Sequence, residues 1–190
     1  MRKLCVVFLL VLTYILCPRE ISSSVCIPDL LAHLTQRVCG SEVLDIAESY
    51  LGNERKYLIL AIAQVETGHG QNLGKYRTVK VANRTQLKYL RKISERLHVQ
   101  SESFHGSSAG ALGYMQIMPQ TWWQYQQDGN GDGVKDPRDP RDSIAAASLF
   151  LSRMIQEEGS VSAGVLRYNR SKTYVKKVIN LTNKLKQQYD

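Results

Sequence analysis

Apolar residues recur at helical spacing along most of the chain, and no two segments read as paired strands. Pro28 to Val38 carries Leu30, Leu31, Leu34 and Val38 at that spacing, with Pro28 early and Gly40 just after. Ser41 is placed to cap an amphipathic helix through Tyr50 that Gly52 closes. Asn53 then caps Glu54 to Thr67, and Gly68 ends it. Inside this helix the run Tyr57-Leu58-Ile59-Leu60-Ala61-Ile62-Ala63 is apolar all round, which predicts a buried central helix. Gln86 to Val99 is strongly charged, with Leu87, Leu90, Ile93 and Leu97 on one side, and predicts a surface helix. Ser103 to Gly113 is rich in glycine and serine and reads as a loop. Pro119 starts a helix carrying Trp122 and Trp123. Asp128 to Asp142 is a second polar loop, and Ser143 to Glu158 an alanine-rich helix with Ile144, Ala147, Leu151 and Met154 on its apolar side. Two further helices, Ser162 to Tyr168 and Thr173 to Tyr189, complete a mainly α chain with no repeat or linker to divide it.

The N-terminal residues stand apart from this pattern. Arg2 and Lys3 precede an apolar run from Leu4 to Cys17 that is too short for a spanning helix and reads as a signal-peptide core. Small residues at Ser22 to Ser24 place the mature start near Val25, giving a signal peptide over 1–24 and one domain over 25–190. The expected location is therefore exported: periplasmic, envelope-associated or extracellular, with an uncleaved anchor as the other way to associate with a membrane. The formal charge of +8 drops to +6 once residues 1–24 are removed. Such an excess favours anionic polymers or membrane surfaces, while export argues against nucleic acid as a partner. Only Cys26 and Cys39 remain after cleavage. An exported pair suggests a disulfide. A straight helix between them would hold its ends roughly 15 Å apart, against about 7 Å for bridged Cα atoms, so the spacing leaves the bridge open.

Two segments carry chemistry. Glu66 ends the most apolar helix of the chain, where desolvation raises a carboxyl pKa and keeps a proton available for a leaving oxygen. The alternative, a merely exposed last-turn glutamate, is as good on this segment alone. Ser107-Ser108-Ala109-Gly110-Ala111-Leu112-Gly113-Tyr114-Met115-Gln116-Ile117-Met118-Pro119 is a glycine-punctuated turn in which backbone can approach a ligand and Ser107 and Gln116 offer polar groups. Serine-hydrolase and P-loop signatures are absent, and the four histidines make no metal spacing with the cysteines.

Together these segments resemble the lytic transglycosylases, the lysozyme-like enzymes of bacterial walls. That family shows an alanine-rich helix ending in Glu followed by Ser or Thr, here Glu66-Thr67. It then shows Ser-x-x-Gly-Ala-x-Gly-x-x-Gln-x-Met-Pro, here Ser107 to Pro119, and finally a helix bearing Tyr-Asn, here Tyr168-Asn169. Details such as Gly74-Lys75-Tyr76 and Tyr168-Asn169-x-Ser171-x-x-Tyr174 resemble the membrane-bound B-type branch, although Met115 stands where that branch usually has Gly or Pro. The resemblance implies a lysozyme-like single catalytic domain with a loop-rich cleft, acting as a monomer on peptidoglycan glycan strands. Glu66 would be the acid/base, and Ser107, Tyr114, Gln116, Tyr168, Asn169 and Tyr174 would bind substrate. It also implies cleavage between N-acetylmuramic acid and N-acetylglucosamine with 1,6-anhydromuramoyl ends, a route that needs one carboxylate. Two-carboxylate hydrolysis would need a second acid in an apolar setting, and none accompanies the motif segments. A goose-type muramidase and a non-catalytic wall-binding module are the alternatives.

The loop Asp128-Gly129-Asn130-Gly131-Asp132-Gly133-Val134 opens like an EF-hand, with oxygen side chains at positions 1, 3 and 5, glycine at 6 and a backbone carbonyl at 7. Asp139 stands at position 12, and Asp142 offers a further carboxylate. The expected ligand set for a structural calcium ion is therefore Asp128, Asn130, Asp132, Val134, Asp139 and Asp142, with no cofactor for the chemistry. A metal-free, Asx-rich turn is the other reading.

Overall fold

The computed structural model describes residues 38–189, so the expected helix from Pro28 and the expected signal peptide lie outside the described residues. Eight helices are described: α1 (Gly40–Leu51), α2 (Tyr57–Thr67), α3 (Thr78–Val81), α4 (Arg84–Arg96), α5 (Pro119–Tyr125), α6 (Pro140–Glu158), α7 (Val161–Tyr168) and α8 (Lys172–Tyr189). The single sheet among these residues pairs β1 (Tyr76–Arg77) with β2 (His105–Gly106) in antiparallel register, Tyr76 opposite Gly106 and Arg77 opposite His105. None of the described helices is long and apolar enough to cross a membrane.

The all-round apolar run does lie at the centre. Tyr57 to Ala63 are at most 3 % exposed, and α2 is enclosed by α1, α8 and α6. The remaining core comes from one stripe of each surrounding helix: Val43 and Ala47 of α1, Leu90 and Ile93 of α4, Leu151 of α6, Val165 of α7, Val178 and Leu185 of α8. Polar links close the periphery. Lys186 reaches Glu54 at 2.7 Å, and Arg141 pairs with Glu42 to tie α6 to α1.

Element ends follow capping chemistry more closely than the apolar pattern does. Asn83, not Gln86, starts α4: its side chain accepts Gln86 N–H at 3.0 Å. Asp139 starts α6 three residues earlier than expected, because its carboxylate accepts the amides of Arg141 and Asp142 and Pro140 fits the first helical position. Residues Asn53–Arg55 form a separate 3₁₀ turn before α2, and α1 has no side-chain cap from Ser41. Cys39 is disulfide-bonded; Cys26 lies outside the described residues.

The glycine-rich segment is a loop pinned at close quarters. Isolated bridges join Gly106 to Leu112 and Leu112 to Ile117, extending the two-residue sheet into the motif. A Cβ on Gly106 would stand 1.9 Å from the Ala111 carbonyl oxygen. Gly113 has φ +69°, and a Cβ there would meet the Pro137 carbonyl oxygen at 2.0 Å. Only glycine fits at either place, and Gly113 brings the motif against the acidic loop.

Candidate active site

Glu66 sits half-buried in the last turn of α2. The helix stops because Gly68 takes the left-handed conformation, its amide returning to Gln64 O in the five-to-one bond of a left-handed cap while His69 N–H reaches Ala63 O. That stop leaves Glu66 at the rim of the core. One carboxylate oxygen, Oε1, accepts the Tyr174 hydroxyl at 2.7 Å. Burial raises the Glu66 pKa above the usual glutamate range, against smaller lowering effects from the Tyr174 hydrogen bond and the Lys177 charge. Desolvation also pushes the Tyr174 and Tyr168 hydroxyls up, so both stay neutral donors, and the Glu66 charge acts on both in the same sense.

The backbone of Tyr114-Met115 is clamped from three sides. Thr67, 2 % exposed, donates its hydroxyl to Tyr114 O at 2.9 Å and accepts Gly70 N–H at 2.9 Å. Met115 N–H donates to Ser143 Oγ at 3.0 Å. Tyr168 Oη donates to Met115 O at 2.6 Å. The residue after Glu66, the start of α6 and the end of α7 therefore fix the motif loop relative to the carboxylate. These bonds also account for Thr in the Glu-Thr pair: its role is to anchor the loop.

Gln116, the next residue, has φ +51° and spends its amide protons on Gly113 O at 2.9 Å and Leu73 O at 3.2 Å. It can offer its side-chain oxygen to a ligand. Ser107 Oγ accepts the amides of Ala109 and Ala111 at 3.2 and 3.0 Å, which leaves its hydroxyl proton to donate. Asn169 is half-buried and ends α7, its amide bonding Val165 O at 3.1 Å. Tyr114 is placed differently from the expectation of a substrate-facing ring. Its side chain is 4 % exposed, lies against Gly70, and turns its hydroxyl to His69 Nδ1 at 3.5 Å. The clamp on its carbonyl turns the ring into the core. Lys177 was not anticipated. It is exposed one turn after Tyr174 on α8, and its charge lowers the Glu66 pKa. The three-residue step from Tyr174 was the signal for it.

In the acidic loop, Asp128 accepts the amides of Gly131, Asp132 and Gly133 at 2.7, 3.2 and 2.8 Å. Asn130 donates to Asp132 at 3.1 Å and Asp139 at 3.3 Å. Asp142 accepts Gly129 N–H at 2.7 Å and Asp136 N–H at 2.8 Å. Its pKa is pushed up to about 6, first by burial and further by the charges of Asp139 and Asp128. Val134 is 48 % exposed, and its amide bonds Asp132. The donors are all hard oxygens, the chemistry calcium prefers. Among the described residues, however, no three His, Cys, Asp or Glu side chains are gathered closely enough to hold an ion. The carboxylates are instead engaged by backbone amides, and Asp139 serves as the α6 cap.

The chain is similar to known proteins in sequence and in fold. The transglycosylase SLT domain family matches residues 40–165. Membrane-bound lytic murein transglycosylase B of Escherichia coli K12 is 32 % identical over 108 residues, covering 50 % of this chain and 30 % of that protein. This chain thus spans about a third of that relative's length. Among solved structures, SltB3 of Pseudomonas aeruginosa in complex with NAG-NAM-pentapeptide superposes with a TM-score of 0.65 at 18 % identity, over 82 % of this chain and 62 % of that one. The Escherichia coli lytic transglycosylase Slt35 in complex with calcium superposes with a TM-score of 0.60 at 18 % identity, over 80 % of this chain and 77 % of that one. Shared fold and a family match over most of the chain lead to one conclusion: this protein belongs to the transglycosylase SLT domain family.

Proposed function

We propose that the chain is a peptidoglycan lytic transglycosylase that breaks the β-1,4 bond after N-acetylmuramic acid, with Glu66 as its single acid/base. The observation that carries this reading is the half-buried Glu66 carboxyl with a raised pKa, held through one oxygen by Tyr174. Tyr174 occupies Oε1 and so leaves Oε2 to face the glycosidic oxygen. Protonated Glu66 gives its proton to that oxygen as the bond breaks, and the substrate's own N-acetyl carbonyl stabilises the sugar cation. The resulting carboxylate removes the proton of the muramoyl 6-hydroxyl, which closes on C1 and returns Glu66 to its starting state. No second carboxylate is required by this route.

Ser107, Gln116, Tyr168 and Asn169 line the substrate side of this reading, and Tyr114 supports them from beneath. If the acidic loop closes on a calcium ion, Asp128, Asn130, Asp132, the Val134 carbonyl, Asp139 and Asp142 would hold it, and their carboxylates would exchange backbone amides for the ion. It supplies no chemistry. Peptidoglycan lies outside the cytoplasmic membrane, so residues 1–24 serve in export and residues 25–190 form the working domain. The direct test is the rate of glycan release from purified peptidoglycan. Glu66→Gln is expected to lose several orders of magnitude while still sedimenting with the wall. Near-normal release by that variant would remove Glu66 from the reaction, and no release by the wild type would point to a binding module.

A further inference from the structure

The helix α4 carries five basic residues and one acid, Glu95. Arg84, Lys88, Arg91 and Arg96 are exposed and Lys92 is half-buried, while Leu90, Ile93 and Ser94 turn inward. Steps of three and four residues put the cations in one row along a helix about 20 Å long. None of the five makes an ion pair among the described residues. Glu95 lies within the row and Arg96 also donates to Gln126 Oε1, but Arg84, Lys88 and Arg91 are like charges a turn apart, which disfavour a helix and which packing does not call for. Two aromatic rings border it. The Trp123 ring of α5 receives the Arg96 guanidinium at 4.3 Å and the Lys92 ammonium at 5.2 Å, and the Tyr89 ring receives Lys92 at 5.5 Å. The mechanism uses none of these groups.

We propose that this face of α4, with Trp123 beside it, docks the protein on an anionic phospholipid bilayer. A straight row of cations matches a plane of phosphate groups, and Arg and Lys make charge-assisted hydrogen bonds to phosphate. Tryptophan and tyrosine rings, apolar at one end and polar at the other, suit the headgroup layer. The row exposes no large apolar side chain, so the contact stays electrostatic and peripheral. This docking stands independently of the catalytic reading.

The test is partitioning of the full chain onto vesicles of phosphatidylcholine alone and of phosphatidylcholine mixed with phosphatidylglycerol. Neutral vesicles report the N-terminal apolar run, and the part of the anionic excess that is lost with the α4 cations reports α4. The triple variant Arg84→Gln, Lys88→Gln, Arg91→Gln leaves Lys92 and Arg96 to hold Trp123. Its anionic excess is expected to be about 100-fold smaller, and that of the wild type to fall with added salt. If the triple variant does not fold, Lys88→Gln alone carries the test with a drop of about 5-fold. An anionic excess equal in wild type and variant overturns the proposal, as does none in the wild type. Loss of binding to purified sacculi with vesicle binding intact also overturns it, since the occupant would then be a wall polyanion.

Discussion

Glu66 is held between two opposing demands. Burial at the end of α2 disfavours its charge, while Tyr174 and Lys177 favour it, and burial prevails. Because the folded pKa is raised, the unfolded chain gives up this proton first as pH rises. Stability therefore falls as pH rises from the unfolded carboxylate pKa through the raised folded one. The melting-temperature advantage of Glu66→Gln over the wild type is accordingly expected to be absent below the carboxylate range and to grow as pH rises through the Glu66 titration, as measured by thermal unfolding. Removing the Lys177 charge by Lys177→Met raises the Glu66 pKa further. The acid form then persists to higher pH, and the alkaline limb of the pH–rate profile is expected to move upward. Tyr174→Phe deletes a hydrogen bond to a carboxylate worth about 1.5–3 kcal/mol, so kcat is expected to drop about 10–100-fold with little change in KM. The motifs drew attention to Glu66, Tyr168 and Tyr174, and the structure joins Tyr174 to Glu66 and Tyr168 to the Met115 carbonyl. The inward turn of Tyr114 was not, because it depends on three hydrogen bonds from elements distant in the chain.

At the scale of elements, helix identity was readable and helix ends were not. The apolar run of α2 predicted its central place, and its residues are at most 3 % exposed from Tyr57 to Ala63. Truncating it by Ile62→Ala, at a fully buried position, is expected to cost about 2–5 kcal/mol in denaturant unfolding. The ends of α4 and α6 were set by Asn83 and Asp139, whose side chains satisfy first-turn amides that an apolar pattern does not record. The β1–β2 pair, two residues per strand, is too short to leave an alternation in the sequence. The acidic loop was recognisable by its spacing, yet Asp139 proved to cap α6. If calcium braces this loop, calcium at 100 times its Kd is expected to raise Tm by about 5–10 °C, and Asp128→Asn to abolish the rise.

As a whole molecule, the chain gathers one core around α2 and sets Glu66 where that helix emerges from it. The motif loop is fixed to that end by Thr67, to α6 by Ser143 and to α7 by Tyr168, so the core and the site are built from the same contacts. The fold class was readable because one helix dominates burial. The clamp was not, because nothing in local pattern says which carbonyl a buried hydroxyl will find. The central claim is that one carboxylate closes the muramoyl 6-hydroxyl onto C1 without water. Mass spectrometry of the products released from purified peptidoglycan tests it most directly. The account predicts products lighter by one water than their hydrolysed counterparts, formed by the wild type and not by Glu66→Gln. Reducing-end products from the wild type would contradict it and make the enzyme a muramidase.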